Sequence, residues 1–171
     1  PIQDFLHYPQ PWYLTAQREL DMGKLLAAFQ QFFREHSDAW MQGFNFVEAG
    51  PQLLMQAFLQ RVVNGGGRIN REYGLGLKRT DLFIEWPVSE TEGYYGKVQR
   101  IVIELKLLRD KQSLVAVQKE GLAQTADYAQ RCGADEAHLI IFDRRANKSW
   151  SKRIWRKNAV FDDVAIGVWG A

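Results

Sequence analysis

The sequence predicts an α/β domain in which helices flank a central mixed β-sheet on both faces. Two segments with helical spacing of apolar residues come first, and three segments with a strand pattern and short connections follow from residue 68. Short connections favour antiparallel pairing of these three strands. A long helical segment then separates two buried apolar runs, and a helical crossover is the connection that a parallel strand pair requires.

Composition and length agree with one globular domain. The chain has 171 residues, of which 46% are hydrophobic and 25% charged, a balance that argues against disorder. Since no apolar run approaches the roughly 20 residues of a membrane helix, we expect no membrane partner. Cys132, the only cysteine, cannot form an internal disulfide, which favours a reducing, cytoplasmic compartment. Because the chain begins at Pro1, we expect it to be part of a longer protein.

The first part of the chain is predicted to be helical. Apolar residues recur at helical spacing after Asp21, which is placed as an N-cap, so a helix over residues 22–36 is predicted. A second helix begins at Pro51 and ends at the three glycines 65–67. We expect residues 1–46 to form an arm and a helix that pack on a core of residues 47–171.

The rest of the chain alternates between strand and helix patterns. The predicted elements are strands over 68–73, 80–86 and 100–108, a helix over 113–131, a strand over 138–142, and a hairpin of 150–155 with 164–169. The first three strands form a meander, with glycines 74 and 76 marking a turn or a bulge between the first two.

Two charged residues stand inside the apolar strand of residues 100–108. Glu104 and Lys106 are two positions apart, so they share one face of that strand. A buried charge that lacks its partner costs roughly 3–5 kcal/mol, which folding alone does not require. The pattern therefore indicates a carboxylate for a hard metal ion with an ammonium beside it, although a surface ion pair is the alternative.

Asp81 supplies a second carboxylate at the start of a neighbouring strand. If the two strands pair, Asp81 and Glu104 can share one divalent ion, with a main-chain carbonyl oxygen and water completing an oxygen shell suited to Mg²⁺. An ion held there lowers the pKa of a water molecule, and Lys106 can orient that nucleophile.

A basic segment precedes the C-terminus. Residues 144–157 contain seven Lys and Arg and no acid, interleaved with Trp150 and Trp155. Such a segment can neutralise phosphates, with Lys152 and Arg153 as the expected contacts, while the tryptophans stack on bases. A hairpin with a solvated basic face is an equal alternative.

These residues resemble the signature of the PD-(D/E)XK phosphodiesterase superfamily: an acid after a glycine turn, an apolar strand with Glu-x-Lys, and a helix with Gln-x-x-x-Tyr. More narrowly, the chain resembles the nuclease-like domain carried C-terminally by bacterial proteins with an AAA-type ATPase module. The resemblance covers about residues 47–145. It is carried by EYGLG at 72–76, IELK at 103–106 and EGLAQTADY at 120–128.

The resemblance implies a restriction-endonuclease-like fold and a role for each matching residue. It makes Asp81 and Glu104 ligands of Mg²⁺ or Mn²⁺, together with the main-chain carbonyl of Leu105, and Lys106 the catalytic lysine. It also implies that Gln124 and Tyr128, one helical turn apart, contact the nucleic-acid backbone. The alternative for Tyr128 is a helix residue whose hydroxyl lies in water.

The chain departs from the family pattern at two positions. Thr80 stands where the motif has proline, which is frequent in the superfamily. Gln52 occupies the helix position that often supplies a third acid, so Glu48 or Glu72 is expected to substitute. The alternative for Glu72, as for Glu85, is a solvated strand residue.

The functional expectation is a Mg²⁺-dependent nuclease that acts on DNA ahead of RNA. The rival interpretation is a catalytically inactive nuclease-fold module that binds nucleic acid or docks a partner protein. The expected partners are nucleic acid, an ATPase module on the same longer chain, and a second copy of the chain in a homodimer.

Overall fold

The computed structural model describes residues 11–43, 50–73 and 80–171. Within these ranges the chain forms one six-stranded sheet and four α-helices. The elements are α1 (Met22–Gly43), α2 (Gly50–Val63), β1 (Arg68–Tyr73), β2 (Thr80–Pro87), β3 (Val98–Leu108), α3 (Leu114–Cys132), β4 (Glu136–Asp143), α4 (Trp150–Arg153), β5 (Trp155–Phe161) and β6 (Val164–Gly170). The predicted glycine turn at 74–76 and Glu48 lie outside the described residues.

The sheet is mixed, as predicted. Its strand order is β1-β2-β3-β4-β6-β5. The first three strands form an antiparallel meander, and β4 runs parallel to both β3 and β6. The helix α3 makes the crossover between β3 and β4, so the predicted parallel pair is confirmed.

Local capping explains where the long helices begin and end. The Asp21 carboxylate accepts a hydrogen bond from the Lys24 amide at 3.0 Å, which confirms it as the N-cap of α1. The helix α1 continues past the predicted end at residue 36, and Ser37 is buried within it. Ser113 caps α3, which ends at Gly133 in the left-handed region with φ of 60°.

The strand β3 separates two apolar cores. Its residues Ile101, Ile103 and Leu105 pack with α1 and α2 on what we call the α1–α2 face. Val102 and Leu108 pack with α3 on the opposite face, the α3 face. Because side chains alternate along a strand, the even-numbered residues between them belong to the α3 face. This alternation assigns Glu104 and Lys106 to the α3 face.

The predicted C-terminal hairpin was wrong in its first strand. Trp150–Arg153 is a short helix, and the strand that pairs with β6 is β5, which begins at Trp155. The hairpin closes through Asp162 and Asp163, whose φ angles are 47° and 63°. Positive φ at both central residues is the twist-matched two-residue turn, and Asp tolerates it. The turn chemistry at Asp162 therefore fixes the register.

The arm before α1 is attached to the start of β3. The Gln99 side chain accepts from the Leu20 amide at 2.7 Å and donates to the Leu20 carbonyl at 3.0 Å. These two bonds satisfy the buried side-chain amide of Gln99 and the backbone N–H and carbonyl of the buried Leu20. Among the helices of the described ranges, none is long and apolar enough to cross a membrane.

Candidate metal and nucleic-acid site

Glu104 is the most deeply buried of the charged site residues whose side chains the structure describes. Only 1% of the residue is exposed, and it lies on the α3 face of β3 between Val102 and Lys106. Its Oε2 atom has no hydrogen-bond partner among the residues that the structure describes. A buried carboxylate oxygen without a partner is costly, and a bound cation removes that cost. The orphaned oxygen therefore fits a metal ligand.

Asp81 is the direct neighbour of Glu104 across the sheet. The β2–β3 register pairs their Cα atoms, which confirms the predicted pairing of the two strands. Directly opposite residues of an antiparallel pair lie on the same face, with Cβ atoms about 4.5–5.5 Å apart. The Asp81 side chain lies outside the described residues, so the approach of the two carboxylates stays a prediction.

Lys106 lies at the mouth of the same site. Its side chain is 19% exposed, and its Nζ lies 3.3 Å from Oε1 of Glu120 on α3. The strand thus carries a buried carboxylate followed, two residues on, by a partly exposed ammonium. This gradient leaves the positive charge at the more exposed end of the pair.

Glu120 is a residue of the site to which sequence reasoning assigned no role. Besides the Lys106 ammonium, its Oε1 accepts a hydrogen bond from Nε2 of Gln124 at 3.2 Å. The i, i+4 spacing of Glu120 and Gln124 was the available signal, because residues so spaced meet on one helix face. The Oε1 atom of Gln124 is buried and has no hydrogen-bond partner in the described part of the chain.

Gly121 lets α3 approach β3 and β4 closely. A Cβ at this position would lie 2.8 Å from both Leu139 methyl groups and 3.3 Å from Cγ of Lys106. Such distances leave no room for a side chain. The absence of a Cβ at Gly121 therefore brings Glu120 and Gln124 within reach of the Lys106 ammonium.

Tyr128 belongs to the core rather than to the surface. The residue is 0% exposed and packs in the cluster between α3 and the sheet. The interpretation that its hydroxyl lies in water is therefore wrong. Buried as it is, Tyr128 presents no surface to a nucleic acid in this structure, whereas Gln124 is partly exposed.

The predicted phosphate contacts Lys152 and Arg153 lie on the short helix α4. Lys152 is exposed, but Arg153 is half-buried and donates to the Arg145 carbonyl at 3.2 Å. Trp150 packs edge-on against Phe33 with ring centroids 6.0 Å apart, on the α1–α2 face. Trp150 therefore has a packing role on this face, and its stacking on bases stays a prediction.

Trp155 is likewise a packing residue, but on the other side of the sheet. It lies against the α3-face core, and the Lys157 ammonium stands 5.1 Å from the centre of its ring. The basic segment is therefore divided between the two faces of the sheet, and α4 lies on the face opposite to Glu104.

The remaining candidate ligands are placed by the backbone alone. The side chain of Leu105 is buried in the α1–α2 core, and the role of its main-chain carbonyl stays a prediction. Glu72 is the register partner of Asp81 on β1, and its side chain lies outside the described residues. Gln52, at the expected position of a third acid, is carried by α2 on the α1–α2 face.

A cleft of about 760 Å³ lies elsewhere, between the start of α1 and the β5–β6 hairpin. Its three acids are already engaged: Glu19 with Lys97, Asp21 as the cap of α1, and Glu136 with His138. No predicted site residue is among those that line it in the described ranges.

No family model, curated protein or solved structure matches the chain.

Proposed function

We propose that this domain is a metal-dependent phosphodiesterase with a restriction-endonuclease-like arrangement, acting on DNA ahead of RNA. The observation that carries the proposal is the buried Glu104 carboxylate, whose Oε2 has no partner among the described residues. It stands on one sheet face with Lys106 and opposite Asp81 in the strand register.

The donor set suits a small hard cation. Carboxylate oxygens of Glu104 and Asp81, with the carbonyl oxygen of Leu105, are the ligand types that Mg²⁺ and Mn²⁺ take, at roughly 2.0–2.6 Å. When bound, such an ion lowers the pKa of a water molecule and stabilises the negative charge that develops on a phosphodiester. The burial of Glu104 keeps its carboxylate available for the cation rather than for solvent.

Lys106 supplies the charge at the entrance. Lys106 lies two residues from Glu104 on the same strand face, where its ammonium would orient an attacking water molecule and neutralise a phosphate oxygen. The Glu120 carboxylate, 3.3 Å away, restrains that ammonium while leaving it partly exposed. Lys106 therefore positions the nucleophile, and Glu120 positions Lys106.

The substrate would approach along the partly exposed side of α3. Gln124 carries a buried carbonyl oxygen without a partner in the described ranges and an amide nitrogen bonded to Glu120. A side-chain amide at this place can exchange these contacts for a backbone phosphate or sugar. Lys152 is exposed on α4, on the opposite face of the sheet, so any phosphate affinity that it adds is separate from the contacts at the Glu104 site.

The test is cleavage of duplex DNA, single-stranded DNA and RNA by the purified protein with Mg²⁺ or Mn²⁺. We expect cleavage by the native chain, loss by orders of magnitude in Lys106→Ala, and native rates in Lys119→Ala, which removes an exposed lysine from α3. If no substrate is cleaved and calorimetry detects no metal, the inactive nucleic-acid-binding or docking module becomes the better account.

A further inference from the structure

Three acidic positions of adjacent strands form one row across the sheet. The register pairs Glu72 of β1 with Asp81 of β2, and Asp81 with Glu104 of β3. The same row continues through Leu139 of β4 and Val168 of β6, which are apolar. The row ends at Lys157 of β5, three strands away from Glu104, so the direct row neighbours of the three successive acids on the described strands include no base.

A row of three acids favours the binding of a cation. Like charges directly opposite each other on paired strands are destabilising, and this row contains two such pairs in succession. An oppositely charged residue at Asp81 would have stabilised both pairs. At the Glu104 end of the row, a carboxylate that is 1% exposed lacks a partner for Oε2 among the described residues.

The spacing suits one ion shared by all three residues. Neighbouring strands are about 4.8 Å apart, so residues 72 and 104 lie roughly 10 Å from each other with residue 81 midway. A glutamate is one methylene longer than an aspartate. A short acid in the middle with a longer one on each side can therefore surround an ion whose ligands lie at about 2.0–2.6 Å.

We propose that Glu72 of β1 is the third carboxylate of the metal site, in place of an acid from a helix. The helix position that would otherwise supply it is Gln52, on a helix that packs on the opposite face of the sheet. The inference rests on the proposed metal site of Glu104 and Asp81, and it adds one ligand to that site.

The test is calorimetric titration of Mn²⁺ into the native chain and three single variants: Glu72→Gln, Glu104→Gln and Glu85→Gln. Glu85 is the matched control because it lies in the same β1–β2 pair but is opposite Arg68, 3.8 Å from its guanidinium. We expect Glu104→Gln to abolish binding and Glu72→Gln to weaken it about tenfold or more, as loss of a charged ligand does. Glu85→Gln should bind like the native chain.

Three other outcomes would contradict the assignment of Glu72, and the first of them would contradict the proposed function as well. If the native chain binds no Mn²⁺, the proposed function and this inference both fall. If Glu104→Gln abolishes binding but Glu72→Gln binds with native affinity, the proposed function stands and Glu72 is not a ligand. Equal weakening in Glu72→Gln and Glu85→Gln would show only an effect of net charge, which also overturns the inference. Thermal melts of all four proteins exclude misfolding as the cause.

Discussion

The Lys106 ammonium on β3 lies 3.3 Å from the Glu120 carboxylate on α3. The same carboxylate oxygen accepts a hydrogen bond from the Gln124 side chain. The helix α3 therefore restrains the lysine of the proposed site and the amide beside it through a single acid. Because Glu120 is largely exposed, this restraint costs no buried charge and can be removed without unfolding the domain.

Glu120→Gln should lower the turnover of nucleic acid while leaving metal binding intact. Exposed ion pairs contribute about 0.2–1 kcal/mol, so we expect kcat to fall by about 1.4- to fivefold, with little change in KM. Steady-state kinetics and Mn²⁺ titration check this. Asp127→Asn is the control, because it removes an exposed pair with Arg131 on the same helix. An unchanged kcat in Glu120→Gln would show that Glu120 does not position the lysine.

Gly121→Ala should destabilise the domain and disturb the site. The added methyl group would lie 2.8 Å from the Leu139 methyl groups, and overpacking of this kind costs about 1–3 kcal/mol. Urea unfolding measures the loss. Val115→Ala, on the exposed side of the same helix, should change the free energy of unfolding by less than about 0.5 kcal/mol. Native stability of Gly121→Ala would mean that α3 can move away from the sheet at little cost.

Asp143 should make the stability of the domain depend on acid pH. Burial alone would raise the pKa of its carboxyl, but the hydrogen bonds from the Arg145 side chain and amide outweigh it and hold the pKa below its ordinary value. A lowered pKa in the folded state stabilises the protein above the unfolded value of about 3.9. That contribution is lost as the pH falls through the lower, folded-state pKa.

Asp143→Asn removes this contribution. At pH 7 we expect the unfolding free energy of the variant to be about 1–3 kcal/mol lower than that of the native chain. As the pH falls below about 4, the unfolding free energy of the variant should decrease less than that of the native chain. Urea unfolding between pH 7 and pH 2 measures both. Parallel pH curves for the two proteins would show that the contact with Arg145 does not stabilise the fold.

Lys152→Glu should weaken DNA binding in a salt-dependent way. Each phosphate contact contributes about −0.9 to the slope of log affinity against log salt concentration, so the slope should flatten by about that amount. Fluorescence anisotropy across a salt series measures it. Lys24→Glu is the control, since it reverses an exposed charge in the first turn of α1. An unchanged slope would make the basic segment a solvated face and leave the DNA contact to Gln124.

Much of the fold could be predicted from periodicity alone. The strands β3 and β4 are apolar runs, β1 and β2 flank a glycine-containing segment, and α3 has both an N-cap at Ser113 and a glycine stop at Gly133. The first strand of the terminal hairpin could not be located in this way. Trp150 and Trp155 suggest strand alternation, whereas the decisive signal is the turn-forming pair at Asp162.

The candidate site was predictable in part. A charged pair inside an apolar strand indicated Glu104 and Lys106, because burial of charge there needs a reason beyond folding. Glu120 and Gly121 depend on how α3 sits against the sheet, which is a tertiary property. The burial of Tyr128 has the same origin, since helical spacing gives its face but not how deeply that face is covered.

If Glu104 is kept buried to bind a cation, thermal unfolding with and without Mn²⁺ should show it. A ligand that binds only the folded state stabilises it by RT ln(1 + [L]/Kd), so the Tm of the native chain should rise with Mn²⁺ concentration. Glu104→Gln, which removes the unpartnered buried charge, should melt at or above the native Tm in metal-free buffer and show no response to Mn²⁺. A native chain whose Tm ignores Mn²⁺, or a Glu104→Gln variant that responds as the native chain does, would contradict the claim.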